Sequence, residues 1–230
     1  MKNFFPATMV ALTLISISVQ AQQASDEVLP EAETALATKL EALSPEVATS
    51  LAAKARGKPV LAKDWMVAVA NPHAATAGAS VLKEGGTAAD AMVAVQAVLG
   101  LVEPQSSGIG GGAFLVWFDA TTRKLTTLDG RETAPMAATP QLFQKANGER
   151  LKFWDAVVGG RSVGVPGTPA LMEAAHKKWG QKVWSNLFLE AIDLAESGFS
   201  VSPRLAALVA ADADRLGQFS DTAAYFFRDS

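Results

Sequence analysis

The sequence predicts an α+β domain, a mixed architecture in which helices and a β hairpin are interleaved along the chain. Helix-start signals recur at Asn71-Pro72, Thr87 and Ser202-Pro203, where a capping side chain precedes a helix-forming run. Between them lie two strand-like runs, Ala113–Phe118 and Leu125–Leu128, which are joined by a polar turn. No period of about 20 to 50 residues recurs, which excludes a solenoid.

Residues 66–86 predict a buried strand followed by a helix. Met66–Ala70 is a short apolar run that fits a buried strand. Asn71 is expected to cap the helix, with Pro72 at the first helical position. The pair Gly85-Gly86 is expected to end it.

The next predicted helix, Ala88–Leu101, is expected in the interior of a layered fold. Thr87 and Asp90 have the spacing of a capping box at its start, although that motif prefers Glu or Gln in place of Asp90. Nearly every face of the helix is apolar, which is typical of a helix that is buried on several sides.

Residues 161–203 predict a short strand and three further helices. The strand is expected at Arg161–Val165, immediately before Pro166-Gly167. The helices are expected from Thr168-Pro169 to Gly180, from about Ser185 to Ser197, and from Ser202-Pro203 onward.

Residues 1–21 resemble a secretory signal peptide, with Lys2 before the largely apolar run Phe4–Val19 and a small residue at Ala21. The apolar run is short and interrupted by Ser and Thr, which favours a cleaved signal over a membrane anchor. We therefore expect a periplasmic or secreted protein. Residues 22–62 predict a partly mobile helical extension, and residues 63–230 predict the domain itself.

The composition excludes several classes of function. The net charge is −3 with a pI near 5.5 and no basic run, which argues against nucleic-acid binding. The absence of Cys excludes disulfides, thiol nucleophiles and Cys-based zinc sites. The two histidines, His73 and His176, are far apart without metal-ligand spacing around them. We therefore expect neither a metal nor a cofactor.

The glycine-rich loop within EPQSSGIGGGAF, residues 103–114, resembles a dinucleotide fingerprint. Such a fingerprint needs a strand before the glycines and a helix after them, so that the helix N-terminus faces the phosphates. Here a helix precedes the loop and a strand follows it, so nucleotide binding is disfavoured. The glycines instead predict a tight turn, with positive φ angles or a close approach of backbones.

A second short motif, Ser80 to Lys83, matches the S-x-x-K pattern of serine β-lactamases. Ser80 falls near the end of its predicted helix, and the chain has no K-T-G sequence, so the match is attributed to chance. His176 near a helix C-terminus and His73 in a first helical turn are likewise interpreted as structural.

Arg131 is the candidate binding residue. It follows a predicted strand and an Asp-Gly turn, where a rigid hairpin holds a side chain in place. A guanidinium there can bind a carboxylate bidentately. The alternative is a salt bridge to Glu132 or Asp129, or simple solvation, since most exposed ion pairs contribute little.

Taken together, the chain resembles the large-subunit region of the γ-glutamyltranspeptidases. The resemblance rests on residues 66–119, which include the glycine loop, and on LDGRETAP (128–135), SVGVPGTPALMEAAHKKWG (162–180) and AIDLAESGF (191–199), in that order. It implies an N-terminal-nucleophile hydrolase fold, a four-layer αββα sandwich, of which this chain is expected to form an incomplete part. It also implies that Arg131 holds the α-carboxylate of a γ-glutamyl donor such as glutathione.

The same resemblance implies that a Thr, exposed by self-cleavage at the start of a small subunit, attacks the γ-glutamyl amide. Water, an amino acid or a peptide then accepts the γ-glutamyl group. No Thr-Thr-His processing motif occurs in these 230 residues, so no catalytic residue is assigned and the chain alone is expected to be inactive. A related acylase, similar to cephalosporin acylase, and a non-catalytic periplasmic partner protein remain alternatives.

Overall fold

The computed structural model describes residues 43–227, in which three α-helices precede one β hairpin and six α-helices follow it. The signal peptide predicted at residues 1–21 and the first half of the predicted extension lie outside the described residues. The helices are α1 (Pro45–Ala55), α2 (Pro72–Lys83), α3 (Ala88–Val102), α4 (Phe153–Val157), α5 (Thr168–Trp179), α6 (Leu189–Ser197), α7 (Pro203–Ala211), α8 (Ala213–Leu216) and α9 (Ser220–Phe226). The strands are β1 (Ala113–Asp119) and β2 (Lys124–Gly130), and 3₁₀ turns span Gly160–Ser162 and Trp184–Phe188. This arrangement confirms the α+β class.

Helix α3 lies at the centre of the helical part, as its apolar sequence predicts. Small residues let α2 approach it closely, since a Cβ added at Gly78 would lie 2.7 Å from Cγ2 of Val95. One buried cluster joins α2, α3 and α6, and a second joins α3 to α5 and the turn before α6. The first contains Ala74, Ala77, Ala94, Val98, Val102 and Leu194; the second contains Val93, Met172 and Leu187.

The predicted caps of α2 and α3 are confirmed. The Asn71 side chain accepts the N–H of His73, and Thr87 and Asp90 form a reciprocal capping box. The fully buried Asp90 carboxylate also accepts the backbone N–H groups of Gln181 at 3.0 Å and Lys182 at 3.3 Å. Burial raises the pKa of Asp90, but the hydrogen bonds from Thr87, Gln181 and Lys182 outweigh it and hold that pKa below its usual range.

The β hairpin packs on α5 through one face only. Its register pairs Ala113 with Gly130 and Asp119 with Lys124. On the inner face, Trp117 stacks on Trp179 of α5, with ring centroids 4.6 Å apart. The outer face exposes three apolar side chains of β1 and one of β2: Phe114, Val116, Phe118 and Leu125. Of the four layers that the family resemblance implies, the described residues form a helical layer and part of one β layer.

Two strand predictions are wrong. Met66–Ala70 is extended, and its side chains alternate between exposed and half-buried, but it pairs with no strand in the described part of the chain. A strand needs a neighbour for its backbone groups, whereas this segment packs on the helices through Val67 and Val69. Arg161–Val165 contains a 3₁₀ turn, and Val165 forms one isolated bridge with Thr133.

The helix predicted from Ser185 to Ser197 is divided into two parts. A 3₁₀ turn, Trp184–Phe188, precedes α6, which ends at Gly198 with a φ of 84°. The helices predicted after Thr168-Pro169 and Ser202-Pro203 are confirmed as α5 and α7.

Helix α1 falls within the predicted extension and contacts α2. Lys83 Nζ lies 2.8 Å from Glu46 Oε1, and the backbone N–H of Ser44 donates to Thr76 Oγ1 at 3.2 Å. The proposed boundary at residue 63 stays a prediction.

Across residues 43–227, no helix is long and apolar enough to cross a membrane.

Candidate functional site

Three segments that are far apart in sequence meet around Arg131. The carbonyl oxygen of Gly111 in the glycine loop accepts the N–H groups of Gly167 at 2.9 Å and Thr168 at 3.0 Å. Thr133 and Val165 exchange two backbone hydrogen bonds, one of 2.8 Å and one of 3.4 Å. The loop before β1, the turn after β2 and the start of α5 therefore form one junction, which we call the glycine junction.

The glycine junction depends on close contacts between backbones. A Cβ added at Gly112 would lie 2.5 Å from the backbone nitrogen of Glu132 and 2.7 Å from Cα of Arg131. A Cβ at Gly167 would overlap the carbonyl of Gly130 and lie 2.7 Å from the carbonyl oxygen of Arg131. Distances under 3 Å cannot be accommodated without a shift of the backbone, so both positions need glycine.

The expected close approach of backbones is therefore confirmed at one glycine of the loop, and the expected positive φ angles are wrong. Close packing beside the Arg131 segment is found at Gly112. Around Gly108, Gly110 and Gly111, an added Cβ would meet nothing within 4 Å, and none of the loop glycines has a positive φ. The order helix α3, loop, strand β1 places no helix N-terminus after the glycines, which removes the basis for a phosphate site.

Three contacts surround Arg131: one to its backbone N–H, one to its guanidinium nitrogen Nη2, and one between its guanidinium carbon and an aromatic ring. Its N–H donates to Asp129 Oδ1 at 2.9 Å, and its Nη2 donates to Glu132 Oε1 at 2.6 Å. Its Cζ lies 5.9 Å from the centre of the Phe114 ring. The side chain is still 54% exposed, and a guanidinium has five N–H donors. The salt bridge to Glu132 that the alternative expected is present, whereas Asp129 accepts the backbone N–H of Arg131 instead of pairing with its guanidinium. Guanidinium donors remain for a ligand.

Glu132 was foreseen only as an ion-pair partner. Its Oε2 is buried beside Gly112 and has no hydrogen-bond partner among the described residues. Its Cγ lies near Gly164, where an added Cβ would be 2.9 Å away. The Glu132 side chain, whose carboxylate pairs with Arg131, thus packs closely against both glycines. The sequence signal for this role is the adjacency of Arg131 and Glu132 between two glycine segments.

Glu103, which sequence reasoning missed, anchors the start of the glycine loop. Its buried carboxylate accepts hydrogen bonds from Asn71 Nδ2 at 2.9 Å and from Arg204 Nη1 at 2.8 Å. Arg204 also contacts Ser106, and Gln96 donates to Ser107 at 2.7 Å. These contacts join α2, α3 and α7 to the loop. The available signal was a charged residue directly after the most apolar helix.

The other sequence candidates belong to the helical layer. His176 Nε2 lies 2.8 Å from the carbonyl oxygen of Lys182 and 3.5 Å from Asp90 Oδ1. His73 packs edge-on against Phe199, and its burial lowers its pKa while the charge of Glu190 raises it. No group of three or more His, Asp or Glu side chains in residues 43–227 could hold a metal ion.

The chain is similar to known enzymes over most of the described region. A glutathione hydrolase proenzyme of Bacillus subtilis strain 168 is 44% identical over 156 residues, which cover 68% of this chain and 27% of that protein. The chain spans about a quarter of the length of the curated relatives it matches.

Solved structures agree with this similarity. The γ-glutamyltranspeptidase of Helicobacter pylori matches with a TM-score of 0.69 and 37% identity, over 75% of this chain and 49% of that chain. A cephalosporin acylase of Bacillus halodurans matches with a TM-score of 0.56 and 32% identity, over 70% of this chain and 31% of that chain. The sequence pattern of the γ-glutamyltranspeptidase family matches residues 74–230, which include the glycine junction and Arg131. The chain therefore belongs to the γ-glutamyltranspeptidase family.

Proposed function

We propose that this chain is the donor-binding part of an enzyme that transfers or hydrolyses the γ-glutamyl group of glutathione and related compounds. Arg131 binds the α-carboxylate of the donor in this proposal. The observation that carries it is the half-exposed guanidinium of Arg131, which binds Glu132 through Nη2 and has further N–H donors left. A guanidinium in this state can bind a carboxylate with two parallel hydrogen bonds.

The covalent step of the proposal uses a threonine supplied by a segment outside these 230 residues. Its hydroxyl oxygen attacks the γ-carbonyl carbon, and the hydroxyl proton passes through the threonine α-amine to the departing amine. The resulting ester is then attacked by water or by an acceptor amine, which releases the threonine. The similarity to the glutathione hydrolase proenzyme of Bacillus subtilis strain 168 supports glutathione as the donor and hydrolysis as one outcome. The threonine is what the family resemblance implies.

The binding part of the proposal is tested on the chain itself. L-glutamate and 4-aminobutyrate differ only in the α-carboxylate, and each is titrated against the ¹⁵N-labelled chain by NMR. We expect saturable binding of L-glutamate, weaker binding of 4-aminobutyrate, and a roughly ten-fold loss for Arg131→Lys, because lysine cannot form the bidentate contact. Arg123→Lys, at the opposite end of the hairpin, is the matched control. Equal affinities for the two ligands would contradict the role of Arg131.

The covalent part is tested by activity. We expect the 230 residues alone to release no chromophore from a γ-glutamyl anilide. Co-expression with the downstream reading frame is expected to restore release, provided that this frame encodes a Thr-led segment. Steady release by the purified chain alone would refute the assignment of the nucleophile to another segment.

A related acylase is the second candidate, because the cephalosporin acylase of Bacillus halodurans shares the fold at 32% identity. A glutaryl anilide keeps the terminal carboxylate of the donor but lacks its amine. If the restored enzyme cleaves the glutaryl anilide as fast as the γ-glutamyl anilide, the acylase is favoured. A strong preference for the γ-glutamyl compound favours the transpeptidase.

We further propose that the protein is exported to the periplasm or medium by the signal peptide predicted at residues 1–21. The support is the sequence pattern of a charged start, an apolar run and a small residue at Ala21. Cell fractionation and N-terminal sequencing are expected to find a processed protein that begins after Ala21. A cytoplasmic protein that retains Met1 would contradict export.

A further inference from the structure

We propose that Phe114 is a positioning residue that orients the Arg131 guanidinium for the donor carboxylate. This inference rests on the proposed function, in which Arg131 binds that carboxylate. The Phe114 ring is 68% exposed on the outer face of the hairpin, and its centre lies 5.9 Å from Arg131 Cζ. A cation within about 6 Å of an aromatic ring centre is attracted to the ring face.

The glycine junction fixes where this ring lies. Gly112 lies against the backbone of Glu132, so β1 begins directly beside the turn that carries Arg131. The register then places Phe114 opposite Asp129. Asp129 in turn accepts the backbone N–H of Arg131. Phe114, Asp129 and Arg131 are therefore brought to the same end of the outer face by the loop that precedes β1.

Phe114 and Glu132 restrain the guanidinium in complementary ways. Glu132 binds the Nη2 edge at 2.6 Å, while the Phe114 ring lies beside the guanidinium carbon. An exposed arginine otherwise loses considerable side-chain entropy when it orders on a ligand. Restraint at two points before the ligand arrives lowers that loss, and the half-exposed guanidinium keeps N–H donors for the ligand.

The test follows the Arg131 side chain of the full chain by ¹⁵N NMR, with its Nε–Hε signal assigned from Arg131→Lys. The variants are Phe114→Leu, Phe114→Tyr and the matched control Phe118→Leu, which removes an exposed ring from the far end of the same face. The heteronuclear NOE of the Nε–H group reports its mobility without ligand. A titration with L-glutamate reports the affinity.

We expect Phe114→Leu to increase Arg131 mobility and to weaken L-glutamate binding about two- to five-fold, the range of one exposed cation–π contact. Phe114→Tyr is expected to restore both values, and Phe118→Leu to change neither. Unchanged Arg131 mobility in Phe114→Leu would overturn the positioning role, whether or not the ligand binds. Failure of wild-type protein to bind L-glutamate would count against the proposed function instead, and the mobility comparison would still decide the role of Phe114.

Discussion

The helical layer and the β hairpin differ in how completely their side chains are buried. In the helical layer, the buried carboxylates of Asp90 and Glu103 each accept several hydrogen bonds, and Val93 and Val98 are fully buried. In the hairpin, Phe114 is 68% exposed on the outer face. The hairpin is held by its inner face and by the glycine junction at its end.

This difference indicates where stability and function are located. Burial of apolar area and satisfied buried charges stabilise the helical layer. The outer end of the hairpin carries Arg131 and Phe114, which the proposed function places at the donor site. We therefore expect substitutions in the helical layer to change stability, and substitutions of Arg131 or Phe114 at the end of the outer face to change binding.

The largest expected effect is the loss of the Asp90 carboxylate. Asp90→Ala leaves the buried N–H groups of Gln181 and Lys182 unpaired and removes the capping box of α3. We expect a loss of about 3 kcal/mol in the free energy of unfolding, measured by urea denaturation. Asp119→Ala is the control, since Asp119 also accepts two backbone N–H groups but in the exposed hairpin turn. A similar loss in both variants would contradict the comparison.

The next effect is expected at the glycine junction. Gly167→Ala places a methyl group against the carbonyls of Gly130 and Arg131, and we expect a loss of about 2 kcal/mol from the forced backbone shift. Gly110→Ala is the matched control, because nothing lies within 4 Å of its added Cβ. Thermal unfolding followed by circular dichroism compares the two. Equal melting temperatures would show that the junction tolerates the added methyl group.

A smaller effect on the free energy of unfolding is expected when the pH is lowered. The pKa of Asp90 is depressed in the folded protein, so its contribution is complete above its unfolded pKa of about 4. That contribution is lost as the pH falls through the still lower folded pKa. We expect the free energy of unfolding to fall more steeply below about pH 4 in wild-type protein than in Asp90→Asn. Parallel curves from urea titrations at several pH values would contradict this linkage.

The smallest effect is expected on the outer face. Val116→Thr, at a side chain that is 68% exposed, is expected to change the free energy of unfolding by less than about 0.5 kcal/mol. Val98→Thr makes the same change in the core of α3, where the side chain is fully buried, and is expected to cost about 1 to 2 kcal/mol. Urea denaturation of both variants tests the comparison, and a larger loss at Val116 would reverse it.

The sequence predicted most helix starts because capping is local. Asn71-Pro72, Thr87 with Asp90, and Ser202-Pro203 each place the cap within three residues of the group that it binds. The hairpin was predicted for the same reason, from two short runs and the turn between them. The extended segment Met66–Ala70 was predicted as a strand, because its residues favour one. Pairing with a neighbouring strand is a long-range property that a local pattern does not contain.

The features of the candidate site likewise divide into those that the sequence predicted and those that only the tertiary structure showed. The sequence by itself determined the family resemblance, the choice of Arg131 and the rejection of a nucleotide site, since these depend on motif order. Only the tertiary structure decided that Gly112 and Gly167 need glycine while Gly110 does not, and that Glu103 binds Asn71 and Arg204. The physical reason is distance along the chain: these partners come together only when α2, α5, α7 and the hairpin pack.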